Sequence, residues 1–131
     1  MKDLIIETVE EISGFKFEEF TGTNSKTGKI CRVEEYVYLR RIVIVLMRNY
    51  WKFEGVQISL KQIGKQIPSA GTLKGHLDHS TIIHALRQHE ADLKYMKGYK
   101  EMYERYANLL ELKMSFETGG VLNSFANVAQ L

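Results

Sequence analysis

Residues 33–51 run for nineteen positions without a glycine or a proline. Ten of them are Tyr36, Val37, Leu39, Ile42, Val43, Ile44, Val45, Leu46, Met47 and Tyr50, so this stretch has to be buried. The β-branched run Ile42–Val45 on its own would suit a buried strand. Nineteen uninterrupted residues exceed the ordinary length of a strand, and the stretch is read as a central helix. Arg40, Arg41 and Arg48 break it up, which rules it out as a membrane span. On a helix Arg41, Arg48 and Lys52 fall near one face, with Arg40 beside them. A chain of 131 residues built around one such segment has room for one compact domain and not for two. Its 44% hydrophobic and 26% charged residues are ordinary for a soluble globular protein.

The flanking sequence is punctuated for further helices. Residues 3–13 carry Leu4, Ile5, Val9 and Ile12 on one side and end at Ser13-Gly14, a short amphipathic helix. Phe15, Phe17 and Phe20 alternate with charges and predict a turn or short helix that pins aromatics to the core. Thr21 to Lys29 has the Thr, Gly, Asn, Ser and Lys content of a loop. Within it Gly22 to Lys29 imitates a phosphate-binding loop. Five residues rather than four separate its glycines, Ile30 takes the place of the metal-binding hydroxyl, and no strand precedes it. It is not a nucleotide site.

After the central stretch, residues 52–57 make a connector through Gly55. Ser59-Leu60-Lys61-Gln62 then has the form of a capping box, with Ile58 and Ile63 placed as a hydrophobic staple. This helix should run to about Ile67 and stop at Pro68. Residues 68–77 connect it to the next helix, which opens at Asp78 as N-cap, with Leu77 and Ile82 as a second staple. Ile82, Ala85, Leu86 and Leu93 give this helix, running to about Lys94, a face to pack. His79, Ser80, His84, Arg87 and Gln88 occupy the opposite face. Two helices joined by a turn, the second starting with small hydrogen-bonding side chains, suit a helix-turn-helix whose second helix enters a major groove. Gly64 would let the first lie close against its neighbour.

Asp78-His79-Ser80-Thr81-Ile82-Ile83-His84-Ala85 resembles the signature of the C-terminal DNA-binding domain of the bacterial replication initiator DnaA. That signature runs Asp-His-(Ser/Thr)-Thr-Val-(Leu/Ile)-His-Ala. The resemblance covers about residues 3–94 and is specific at 35–41, 59–64 and 78–87; Glu35-Tyr36-Val37-Tyr38-Leu39-Arg40-Arg41-Ile42 is similar to the family's central helix. It implies that Asp78, His79 and Ser80 read base edges in the major groove and that Arg32 enters the minor groove. It also implies that Arg40, Arg48, Thr81, His84 and Arg87 face the DNA backbone, with Arg41 standing where the family often has a glutamine. Two departures follow. Leu77 replaces an arginine just before the aspartate, and a bidentate base contact is worth about 1–3 kcal/mol, so the preferred DNA sequence should differ. The connection 68–77 is also about seven residues longer than the family's Gly-Gly-Arg turn.

Charge and composition agree with this. The net +2 hides an asymmetry: residues 1–35 hold five Lys and Arg against eight Asp and Glu, a net −3. Residues 36–94 hold nine against four, a net +5, and residues 95–131 hold four of each. Positive charge gathers around the candidate recognition helix, as a polyanion partner requires. The lone Cys31 forms no internal disulfide and has no recognisable base nearby, so nucleophilic catalysis has no support. His79, His84 and His89 are five apart and diverge around a helix, so no metal site is expected. Asp3, Glu7, Glu10 and Glu11 exclude a basic leader, and a cytoplasmic location is expected.

Beyond Tyr99 a second period appears in Met102, Tyr103, Tyr106, Leu109 and Leu110. Residues 95–118 are read as a closing helix packed on the domain, with a surface for a protein partner or for self-association as the rival account. Residues 119–131, after Gly119-Gly120, form a short apolar tail. Tyr95, Tyr99, Tyr103 and Tyr106 have the spacing of core residues, against a stacking platform for single strands. The expectation is therefore an all-α protein: a helix-turn-helix domain over residues 1–94 plus a C-terminal closing helix. It binds double-stranded DNA sequence-specifically, needs no cofactor, metal or nucleotide, and serves replication initiation or transcription control in a bacterium or phage. The alternative is a protein-interaction module that keeps the fold without reading DNA.

Overall fold

The structure is a computed structural model that describes residues 1–22, 34–69 and 75–117. It is all-α apart from one small hairpin. In chain order come α1 (Lys2–Ser13), α2 (Phe17–Thr21), α3 (Glu34–Tyr50), β1 (Lys52–Phe53), β2 (Val56–Gln57), α4 (Leu60–Lys65), α5 (His79–Tyr95) and α6 (Tyr99–Glu117). None of the described helices is long and apolar enough to cross a membrane.

The run Ile42–Met47 that could have been a strand is the inner part of α3, and all six of its side chains are buried. A helix buried all round needs neighbours on every side. Here α1, α2, α4, α5 and α6 all pack against α3. Valine and isoleucine lose at most about 0.7 kcal/mol each in helix propensity relative to alanine. Burying each side chain returns about 1.5–3 kcal/mol, so packing decides the conformation.

Around this axis the predicted boundaries hold to within about two residues, except that the closing helix read from residue 95 starts at Tyr99, Tyr95 still belonging to α5. Gly14 closes α1 with a left-handed φ of 80° and donates its N–H to the Glu10 carbonyl at 2.9 Å. The Phe17 N–H bonds Glu10 Oε2 at 2.8 Å, which ties the aromatic turn of α2 to α1 and seats Phe20 in the core. On α6, Tyr99, Tyr106, Ala107 and Leu110 are buried, and the helix lies against α1, α3 and α5. Its outer edge is fastened by Lys113 to Glu7 and Glu11 at 3.0 and 2.6 Å, and by the Tyr50 hydroxyl to Glu111. It closes the domain.

Several details differ from the sequence reading. The connector at 52–57 is an antiparallel hairpin in which Lys52 pairs with Gln57 and Phe53 with Val56. Glu54 and Gly55 both have positive φ, 51° and 81°, as a two-residue hairpin turn demands. Helix α4 stops at Lys65, two residues early, because the Gln66 and Ile67 N–H groups tighten onto Ile63 and Gly64. The two ends of the connection that follows are tied together: Ser69 N–H bonds Gly75 O, Leu77 N–H bonds Ile67 O, and Pro68 faces His76 in an antiparallel bridge. Residues 70–74, with Lys74, lie outside the described residues, as do Arg32, Cys31 and residues 118–131. Leu93 was expected on the packed face of α5 but is 37% exposed; His89 is the buried residue there instead. Tyr95, read with the core tyrosines, is 85% exposed.

Candidate nucleic-acid interface

The α4–α5 pair is set by a single close approach. A Cβ built on Gly64 would stand 2.4 Å from the Leu77 carbonyl oxygen, so only glycine fits where α4 meets the entry to α5. The Ser59 hydroxyl accepts the Gln62 N–H at 3.2 Å, capping α4 as its sequence predicts. Leu77, which replaces the family's arginine, is buried, and its N–H and carbonyl are both used in the α4–α5 junction. Its side chain faces inward.

At the start of α5, Asp78 has the extended backbone of an N-cap (φ −80°, ψ 155°), but its carboxylate does not cap the later amides of the first turn. Oδ2 accepts the Ser80 hydroxyl at 2.7 Å, and Oδ1 lies 3.4 Å from His79 Nδ1. The Ser80 hydrogen bond is the main reason the carboxyl titrates below its ordinary range. Asp78, His79, Ser80, Thr81, His84 and Arg87 are all exposed, whereas Ile82 behind them is buried. The turn that begins at Asp78 therefore points outward as a set.

A cleft of about 490 Å³ separates α5 from α3. Val37, Arg40, Arg41 and Ile44 of α3 line it together with Leu77 and with Thr81, His84 and Ala85 of α5. A second cleft, about 390 Å³, opens between the starts of α4 and α5 and is lined by Leu60, Lys61, His76, Leu77, Asp78 and His79. Lys61 is an addition to the candidate set. In the sequence it reads only as the third letter of a capping box, and nothing local announces that it faces Asp78 and His79.

The three expected arginines of α3 separate in role. Arg40 lines the first cleft and donates to the Phe20 carbonyl at the end of α2. Arg41 also lines the cleft, yet its side chain is only 12% exposed and pairs with Asp92 of α5, itself 13% exposed. The Tyr38 ring lies 5.1 Å from its guanidinium carbon, and Gln88 donates to the other Asp92 oxygen at 3.1 Å. Arg48 does not line either cleft; it donates to the Ile58 carbonyl at 2.6 Å and fastens the hairpin to α3. All three, expected at the DNA backbone, thus have partners within the protein, and Arg40 and Arg41 line the cleft as well. Those partners are distant in sequence or on the main chain, and charge spacing cannot reveal them.

Below the Arg41–Asp92 pair, His89 is buried among α6 residues. Its Nδ1 lies 2.6 Å from the Tyr99 hydroxyl, and its ring meets Tyr99 and Tyr103 edge-on at 5.3 and 4.6 Å. Burial, with the Arg41 charge second, holds its imidazole below the usual histidine range, while burial pushes the Tyr99 hydroxyl up to about 12. This polar cluster fixes how α5 sits on α3 and α6. Among the described residues, no three His, Cys, Asp or Glu side chains converge to hold a metal ion. Compared with protein-family models, curated proteins and solved structures, the chain matches none of them.

Proposed function

We propose that α4 and α5 act as a helix-turn-helix that binds double-stranded DNA, in the manner the resemblance to the DnaA DNA-binding domain implies, without catalysis. The observation that carries the reading is the shared cleft that Arg40 of α3 lines together with Thr81 and His84 of α5, with His79 and Ser80 exposed at the start of the latter helix. A recognition helix needs its first turn free to meet base edges, with cations on neighbouring elements to meet the phosphates on either side. In this reading Asp78, His79 and Ser80 face the bases, and Arg40, Thr81, His84, Arg87 and Lys61 face the backbone. Arg32 would serve the minor groove as the resemblance has it. Arg41 and Arg48 hold the scaffold. Replication initiation or transcription control is the role such binding would serve.

The test is duplex binding over a series of salt concentrations, followed by selection of preferred sequences from a random pool. Affinity should fall steeply with salt; His79→Ala and Ser80→Ala should relax sequence preference, whereas Thr81→Ala with His84→Ala should weaken all sequences alike. No measurable duplex binding at low salt would falsify the reading. A protein-interaction module is the second reading, favoured by Phe53 and Val56, which lie side by side on the hairpin at 77% and 70% exposure. Under it, a Phe53→Ser, Val56→Ser variant loses partner capture while His79 and Ser80 are indifferent.

A further inference from the structure

The far end of α5 carries a surface that the duplex reading leaves unused. Residues 93–100 read Leu-Lys-Tyr-Met-Lys-Gly-Tyr-Lys, three lysines with no carboxylate among them. All but Tyr99 are exposed. Tyr99 turns inward to His89; Tyr95 turns outward and makes no ring contact or hydrogen bond among the described residues. Lys94 and Lys97 make no ion pair among those residues, and Lys100 reaches Glu104 only at 4.0 Å between two exposed side chains. Glu90, Glu101 and Glu104 are the nearest carboxylates in sequence outside the Arg41–Asp92 pair.

The corner is firmly shaped. Met96 N–H closes α5 on the Asp92 carbonyl at 2.9 Å, Tyr99 N–H bonds Met96 O at 3.2 Å, and Gly98 turns the chain with a φ of 85°. The Tyr38 hydroxyl lies 3.5 Å from the Met96 sulfur and attaches the corner to α3. An aromatic ring open on its faces, flanked by cations on a fixed turn, is complementary to a strand that presents base faces and phosphates together. An acidic peptide would satisfy the lysines but leave the ring without a stacking partner.

We propose that the α5–α6 corner binds single-stranded DNA, with a base stacked on Tyr95 and phosphates facing Lys94, Lys97 and Lys100. Seventeen residues of α5 put this corner roughly 25 Å from the duplex-facing end. One helix then carries two nucleic-acid contacts. The choice of DNA over RNA rests on the duplex reading of the other end; the stacking geometry does not.

The experiment is fluorescence anisotropy of the full chain with a labelled oligothymidylate, an oligouridylate of equal length and an oligoglutamate peptide, beside the duplex assay. Every side chain altered at the corner is exposed, so the variants should fold. Tyr95→Ala should weaken oligothymidylate binding roughly tenfold, and Tyr95→Phe should preserve it. Lys94→Gln with Lys97→Gln should shallow the salt slope by about 1.4. Thr81→Ala with His84→Ala should leave strand binding unchanged, and the Tyr95 variants should leave duplex binding unchanged. A chain that ignores duplex but holds the strand through Tyr95 would support this site while overturning the duplex reading. Absence of strand binding at low salt, indifference to Tyr95→Ala, or equal affinity for oligoglutamate would overturn the site. Clearly tighter binding of oligouridylate would overturn the choice of DNA.

Discussion

Gly64 of α4 lies so close beneath Leu77 that the carbonyl oxygen of the latter occupies the space a side chain would need. The obstacle is main chain and cannot rotate away. Gly64→Ala gains about 1 kcal/mol of helix propensity, but it must push the entry to α5 outward, and overpacking of this kind costs about 1–3 kcal/mol or more. The expected outcome is a lower thermal midpoint and weaker duplex binding together. Lys61→Ala on the same helix should change stability by no more than about 0.5 kcal/mol, and thermal unfolding of the two variants side by side checks this.

The Arg41–Asp92 pair joins α3 to α5 with both side chains largely out of water. Removing one member leaves a charge without its partner, at a cost of about 3–5 kcal/mol, whereas replacing both with apolar groups is often close to neutral. Arg41→Met alone should therefore be strongly destabilising, and Arg41→Met with Asp92→Leu should recover much of the loss. Urea unfolding of the two single variants and the double variant measures the coupling. A double variant as unstable as the sum of the singles would show that the pair does not act as a unit.

His89 makes stability pH-dependent with a definite sign. Its folded-state pKa lies below the ordinary 6.5 because burial, and then Arg41, disfavour the cation. Below about pH 6.5 the unfolded chain takes up the proton more readily than the folded one, so stability is full above that range and is lost as pH falls toward the folded value. His89→Gln should be less stable at about pH 8 but show a flatter decline toward about pH 5. Unfolding curves at the two pH values decide it; parallel declines in wild type and variant would remove His89 as the cause.

Arg40 and Arg48 should answer differently to the same substitution. Arg40→Gln breaks the tie to the Phe20 carbonyl and takes a cation from the cleft it shares with Thr81 and His84, so besides lowering stability it should shallow the duplex salt slope by about 0.9. Arg48→Gln breaks the tie to the Ile58 carbonyl and should lower stability, with the salt slope unchanged. Equal effects on the slope would mean that Arg48 leaves Ile58 when DNA arrives.

What could be read from the sequence was what neighbouring residues enforce. Ser13-Gly14, the unbroken run through Tyr50, the Ser59 cap and the outward-facing turn from Asp78 all act within a few residues, and each lies where its spacing says. The 52–57 hairpin was not legible, since two residues per strand are too few to show an alternating period. The pairing of Arg41 was not legible, because its partner lies fifty-one residues away and charge spacing is blind to that. The tyrosine period failed at Tyr95, where α5 ends and the next helix starts on a new phase. Leu93 failed for a related reason: the third face of that helix is filled by the His89 and Asp92 cluster, a polar interior that hydrophobic periodicity cannot detect.

The enclosure of α3 bears on how the chain can come apart. Each of the other helices rests on the same axis, so peeling any one of them away wets a strip of valine, isoleucine and leucine that has no second cover. Partial melting is thereby penalised from every direction, and loss of structure at either end of α5 should be felt at the other. The molecule is in effect a single hub with spokes, whose two ends are linked through one shared interior even where they never touch.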